Sequence, residues 1–120
     1  MVQVVVNSSL SGYQGCYISI DPVHKTLLRL NDGATAWQGP ITLPTASTLQ
    51  NSQCTLTGGS SSIALSGNNA TVNLALSFSG SFGGAKTVYG YAQAAGGLNS
   101  GWTALGNWTV TAALDRKSVV

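Results

Sequence analysis

The sequence predicts an all-β fold, an antiparallel β-sandwich of about seven or eight strands. Apolar and polar residues alternate with a period of two in several segments, as half-buried strands require. Turn-forming residues interrupt these segments about every eight to twelve residues, which is the spacing typical of a sandwich. No segment shows the spacing of an amphipathic helix. With 120 residues, the chain has room for a single domain.

The first half of the chain predicts a strand, a hairpin and an irregular edge. Val2–Asn7 has the composition of a strand. Cys16–Leu30 has the pattern of a hairpin whose turn is Asp21–Lys25, because proline presets such a turn. The residues on one face of its first strand are Cys16, Ile18 and Ile20. The residues that then indicate an irregular link or a broken edge strand are Gly39, Pro40 and Pro44.

The second half predicts further short strands. Gln53–Thr57 forms one of them, with Cys54 in phase with the apolar Leu56. Another hairpin is expected around the turn Ser66–Asn69. Its strands are Ser62–Leu65 and Ala70–Phe78. The last predicted strands are Lys86–Gln93 and a closing strand made of Trp102–Leu105 and Asn107–Thr111, with a bulge near Gly106.

The chain contains two cysteines, Cys16 and Cys54, and they do not form a CxxC pair. We expect a disulfide between them, because both lie in phase with apolar neighbours and because Lys is scarce and Glu is absent from the chain. The alternative is a pair of buried free thiols in a cytosolic protein. A disulfide implies an oxidising compartment and contributes about 4 kcal/mol on the chain-entropy model. We therefore expect a secreted or cell-surface protein.

Composition and charge argue against several functions. Only 7% of residues are charged and 43% are hydrophobic, so a core is available but a charged surface is not. The net charge is +2 and the five cations do not form a stripe, which argues against nucleic-acid binding. No apolar run reaches the roughly 18 residues of a membrane helix. We expect no cofactor, because no glycine-rich segment follows a strand and opens a helix.

The chemistry-bearing residues are too few to predict an enzyme. The carboxylates outside the last six residues are Asp21 and Asp32, which lie in turns at opposite ends of a hairpin strand. The single histidine, His24, lies in a tight turn, where a solvated side chain is the expectation rather than a catalytic base. No metal site is expected, because zinc needs about four ligands and calcium six to eight.

The aromatic residues offer the clearest candidate for binding. Exposed, coplanar rings on a sheet face stack against sugar rings, so these residues predict a carbohydrate-binding platform. The candidates are Trp37, Tyr89, Tyr91, Trp102 and Trp108. Tyr89 and Tyr91 share one strand face by their spacing. The alternative is that the rings belong to the core, with their polar ends satisfied at its rim.

Six segments resemble a module repeated in large secreted proteins of soil bacteria, of the immunoglobulin-like, fibronectin-III-like or cadherin-like kind. They are Val4–Leu10, Cys16–Ile20, Leu30–Trp37, Leu49–Cys54, Gly97–Trp102 and Gly106–Val110. The resemblance implies an immunoglobulin-like sandwich with the cysteine pair and no catalytic residues. It also implies a structural, spacer or adhesion role. The partners that we expect are the neighbouring domains of the parent chain and a polysaccharide or cell-surface ligand.

The sequence leads to a prediction for each end of the chain. The resembling modules have one more strand at the N-terminus, so we expect an open sheet edge at Val2–Leu10, which has no charged residue. At the other end, Asp115–Val120 matches one reading frame of a sequencing adapter. We therefore expect a native module at 1–114, within a longer multidomain protein, and a non-native tail at 115–120. The alternative is a genuine basic tail.

Overall fold

The computed structural model describes residues 1–67, 69–79, 82–94, 96–110 and 114–119, with side chains up to residue 109. Residues 111–113 and 120 lie outside the described residues. Parts of the expected closing strand, of the end of the expected module and of the expected tail fall on them. Within the described residues the strands are β1 Val2–Asn7, β2 Cys16–Asp21, β3 Thr26–Leu30, β4 Trp37–Thr42, β5 Thr48–Gln50, β6 Cys54–Ser66, β7 Asn69–Phe78, β8 Gly84–Ala92, β9 Thr103–Val110 and β10 Leu114–Val119.

The strands form two antiparallel sheets. One sheet has the order β4-β3-β2-β1-β8-β9, and the other has the order β10-β7-β6-β5. Most neighbours in a sheet are consecutive in the chain, and the pairs β1–β8 and β7–β10 are the long-range ones. The predicted all-β sandwich is confirmed. The strand β10 begins at the expected module boundary and pairs with β7.

The core lies between the two sheets and follows the alternation of the sequence. In β2 the residues Cys16, Ile18 and Ile20 are fully buried, and the residues between them are half-buried. The facing sheet contributes alternate residues of β7, which are Val72, Leu74, Leu76 and Phe78. Each sheet thus turns one apolar face inward, and the burial of these faces stabilises the sandwich.

A disulfide joins the two sheets through this core. Cys16 in β2 is bonded to Cys54 in β6, and their Cα atoms are 5.9 Å apart. This separation lies in the usual range for a bridge. Both side chains are buried. The expected pairing of the two cysteines is therefore confirmed, and it connects a central strand of each sheet.

The expected open edge at Val2–Leu10 is wrong. Strand β1 pairs with β2 on one side and with β8 on the other, so it lies inside the six-stranded sheet. Its uncharged run of valines suits this position, because a strand with neighbours on both sides and both faces covered has no need of charges. Val5 is fully buried although it faces away from the core between the sheets.

Several predicted strands have different bounds in the structure. Gln53–Thr57 and Ser62–Leu65 belong to the single strand β6, with a register shift between Thr57 and Ser62. The hydroxyl of Ser61 bridges this irregularity, donating to Thr57 O and accepting from Ala75 N–H. Such a bulge interrupts the period-two alternation of the sequence, so the pattern predicted two strands where the structure has one. The predicted bulge in β9 is confirmed, since the register shifts beside Gly106.

An unexpected charge lies beside the disulfide. Arg29 of β3 is fully buried, and its Nη2 donates to Cys54 Sγ at 2.7 Å. Its Nε and Nη1 have no hydrogen-bond partner among the described residues. Burial lowers the pKa of Arg29 from 12.5 to about 10, and the nearby Asp32 opposes this shift. The guanidinium is therefore still charged at neutral pH and is incompletely compensated.

The first prediction concerns the bridge between the sheets. Replacing both Cys16 and Cys54 by alanine is expected to lower the free energy of unfolding by about 4 kcal/mol, because the bond closes a loop with a separation of 38 residues. Urea denaturation measures the change. The exposed Ser60→Ala in β6 is the control and should be neutral. Equal stability of the double variant and the wild type would contradict the stabilising role of the bridge.

The second prediction concerns the buried guanidinium. Arg29→Met is expected to raise the free energy of unfolding at neutral pH by about 1 kcal/mol or more, because it removes a buried charge without a carboxylate partner. Arg29→Lys keeps the charge and should not raise the free energy of unfolding. Because the folded-state pKa is the lower one, the stability of the wild type should rise as pH passes about 10. A larger decrease of the free energy of unfolding in Arg29→Met than in Arg29→Lys would show that the guanidinium stabilises the fold.

Candidate functional site

Aromatic side chains gather on the outer face of the six-stranded sheet. Tyr17 follows the buried Cys16 in β2, so its side chain points to the opposite face, away from the core. In the sheet register Val5 lies opposite both Tyr17 and Tyr89. Leu30 lies opposite Trp37 in the neighbouring pair. One row across the sheet thus carries aromatic residues from strands that are far apart in sequence.

The rings of Tyr17, Trp37, Tyr91 and Trp102 form what we call the aromatic cluster. Tyr17 meets the edge or face of two tryptophans, with centroids 5.1 Å from Trp37 and 5.7 Å from Trp102 at nearly perpendicular angles. Tyr91 lies 5.3 Å from Trp102 with the planes 35° apart. These distances are in the range of favourable aromatic pairs. The cluster is therefore a packed group of rings, and its tryptophans flank a central tyrosine.

The floor beneath the cluster is tightly packed. Val5 is fully buried on this outer face, and Leu30 is nearly so. The segment between β1 and β2 folds over the same face, where a Cβ at Gly12 would lie 2.6 Å from Leu30 Cδ2 and 2.8 Å from Tyr17 Cδ2. A larger residue cannot fit at this position without displacing both side chains. The close approach at Gly12 therefore fixes the Tyr17 ring.

Hydrogen bonds orient the two tyrosines of the cluster. The Tyr17 hydroxyl donates to Gln3 Oε1 at 2.7 Å, and the Tyr91 hydroxyl donates to Gln93 Oε1 at 3.0 Å. Burial raises the pKa of Tyr17, and the nearby Tyr91 raises it further. Both hydroxyls thus have partners within the protein. The faces and edges of the rings are what the cluster can offer to a ligand.

The structure separates the five predicted platform residues. Trp37 is 41% exposed, and Tyr91 and Trp102 are half-buried beside it in the aromatic cluster. Tyr89 is half-buried on the same face. Trp108 does not belong to the platform, because it is buried between the sheets with its ring 5.0 Å from Phe78. The alternation of side chains along β9 places the Trp108 ring on the inward face of the sheet.

Tyr17 is the site residue that the aromatic prediction left out. Its phase was visible in the sequence, since it alternates with the buried Cys16 and Ile18 and so had to face outward. Its closeness to Trp37 and Trp102 was not visible, because it depends on the pairing of β4 with β3 and on the segment that carries Trp102 before β9. An outward tyrosine beside an inward cysteine was the available signal.

The polar residues of the turn after β2 hydrogen-bond to one another. Asp21 accepts the backbone N–H groups of Val23 and His24, and His24 Nδ1 lies 2.7 Å from Asp21 Oδ2. The side-chain and backbone hydrogen bonds from His24 lower the pKa of Asp21. The imidazole of His24 is 74% exposed. The pair closes the turn between β2 and β3, which is the structural role that an aspartate before such a turn fulfils.

Asp32 has a similar role at the other end of β3. It accepts hydrogen bonds from the backbone N–H and the hydroxyl of Ser52, and these two bonds hold the pKa of Asp32 below its usual value. This contact ties the turn after β3 to the segment before β6. No group of three or more His, Cys, Asp or Glu side chains that could hold a metal lies among the described residues.

No family model, curated protein or solved structure matches this chain. Among the residues that the structure describes, no helix is long and apolar enough to cross a membrane. Because a fold alone does not fix a function, the bridge between the sheets and the aromatic cluster are the features that bear on function.

The third prediction separates the cluster from the core. Trp108→Ala is expected to lower the free energy of unfolding by about 3–5 kcal/mol, because it empties a buried space beside Phe78. Trp37→Ala should lower the free energy of unfolding much less, because Trp37 is 41% exposed and Trp108 is only 9% exposed. Urea denaturation of both variants measures the difference. A loss for Trp37→Ala as large as that for Trp108→Ala would show that Trp37 is a core residue and unavailable to a ligand.

Proposed function

We propose that this chain is a non-catalytic β-sandwich module of an exported protein, where it acts as a structural, spacer or adhesion unit. The observation that carries the proposal is the buried bond between Cys16 and Cys54, which links the two sheets at their centres. A disulfide in this position supports an oxidising, extracytoplasmic environment. It also resists separation of the sheets.

The sparsely charged surface and the resemblance to immunoglobulin-like modules support the same proposal. A surface of Ser, Thr, Asn, Gln and Gly suits a domain that sits between neighbours in a longer chain. The partners are then the neighbouring domains of the parent protein and surface material that the module contacts. The described polar pairs, Asp21 with His24 and Asp32 with Ser52, close turns and do not converge on one point.

A second candidate function is carbohydrate binding, and the aromatic cluster favours it. Exposed tryptophan faces stack on the apolar faces of sugar rings, and nearby amides and hydroxyls can pair with the sugar hydroxyl groups. Trp37 and Trp102 lie on the same outer face, on either side of Tyr17. The solvent-facing side of a sheet gives a long ligand access to both.

The fourth prediction compares these two functions. Immobilised neutral polysaccharides are incubated with the wild type, with the double variant Trp37→Ala/Trp102→Ala and with Tyr13→Ala. Tyr13 is a matched aromatic control, because it is 59% exposed and its ring is in none of the ring pairs described for the cluster. If the cluster binds sugars, the double variant should bind at least about tenfold more weakly, and Tyr13→Ala should bind like the wild type.

Each outcome has a consequence. Wild-type protein that is folded and is retained on no polysaccharide supports the spacer role and removes the carbohydrate candidate. Retention that Trp37→Ala/Trp102→Ala leaves unchanged also removes the cluster as the binding site. Release of new reducing ends from any polysaccharide would contradict the non-catalytic proposal.

A further inference from the structure

A cleft of about 630 Å³ lies on the outer face beyond the aromatic cluster, at the turn between β2 and β3. Ser19 and Asp21 line it and alternate with the buried residues of β2, so they share the outer face with Tyr17. The side chains of β3 and of the segment after β8 complete the wall. The lining residues used below are Ser19, Asp21, Pro22, His24, Leu28 and Gln93.

Two hydrogen-bonded connections make the cluster and the cleft one continuous surface. Tyr17 donates to Gln3, and Gln3 Nε2 donates to Ser19 Oγ at 3.4 Å. These two hydrogen bonds link a ring of the cluster to the wall of the cleft. Tyr91 donates to Gln93, which lines the cleft. The register places Gln3 opposite both Ser19 and Tyr91. A ligand that leaves the rings along β2 therefore enters the cleft.

The charge of this surface is suited to a neutral ligand. Asp21 is the only carboxylate among the described cleft residues, and it already accepts two backbone N–H groups and contacts His24. No lysine or arginine is among the described lining residues, and the ammonium of Met1, which does line the cleft, donates to Gln93 O at 2.9 Å. The groups that can still pair with a ligand are amides, hydroxyls and the exposed imidazole. They match sugar hydroxyls better than carboxylates, sulfates or phosphates.

We propose that the ligand is a neutral, linear polysaccharide whose chain lies along β2, with one sugar ring on the aromatic cluster and the following units in the cleft. This inference rests on the carbohydrate-binding function proposed above. Tyr17 and Asp21 are four residues apart in a strand, a span of roughly 13 Å at about 3.3 Å per residue. That span exceeds one sugar ring, so a single sugar unit leaves the cleft empty.

The fifth prediction is that affinity grows with chain length. Isothermal titration of the wild type with a ladder of neutral β-linked glucose and xylose oligosaccharides, from monosaccharide to hexasaccharide, should show an increase of about tenfold or more between disaccharide and tetrasaccharide. The cleft variant His24→Ala should weaken binding of the tetrasaccharide about threefold or more and leave the disaccharide unchanged, because its side chain is 74% exposed in the cleft. Trp37→Ala/Trp102→Ala should weaken both, and Tyr13→Ala neither.

The results distinguish failure of this inference from failure of the function on which it rests. Equal affinity along the ladder, with dependence on the tryptophans, would overturn the extended site and keep carbohydrate binding. Absence of binding to every oligosaccharide would overturn both. Tighter binding of oligogalacturonate than of the neutral ladder would overturn the assignment of a neutral ligand. Circular dichroism confirms that each variant is folded before titration.

Discussion

The pairing of β1 on both sides is the constraint on which the outer face depends. Val5 lies between Tyr17 of β2 and Tyr89 of β8, and Gln3 lies between Ser19 and Tyr91. Strands β2 and β8 are separated by about half of the chain, and β1 lies between them in the sheet and brings their aromatic residues to one surface. The cost of closing this long-range pairing is offset by burial of the valines of β1 on both faces.

The bridge between the sheets and the aromatic cluster are coupled through adjacent residues. Cys16 points inward to Cys54, and Tyr17 points outward to the two tryptophans. A disulfide that holds the backbone of β2 therefore also restricts the position of the Tyr17 ring. Arg29 lies at the same junction, with one amino group on Cys54 Sγ. Its incompletely compensated charge reduces the stability that the bridge and the core provide.

Local patterns in the sequence were sufficient for the parts of the fold that depend on neighbouring residues. The hairpin of β2 and β3, the phase of both cysteines and the strand β7 follow from alternation and turn residues. Long-range pairing was not visible, so the uncharged β1 was assigned to an edge although it is interior. Arg29 was not expected inside, because charged residues are rarely buried without a partner. The platform was predicted only in part. Trp108, which was assigned to it, lies in the core, and Tyr17, which was not assigned to it, lies in the cluster.

Amide hydrogen exchange in β1, followed by NMR, tests the central claim most directly. In an interior strand every backbone N–H is bonded to one neighbour or the other, so the amides of Val4, Val5 and Val6 should all exchange slowly and at similar rates. In an edge strand alternate amides face solvent. Rapid exchange of Val5, or of both Val4 and Val6, at the rate of loop amides would show that β1 pairs on one side only. The aromatic residues of β2 and β8 would then not share a surface.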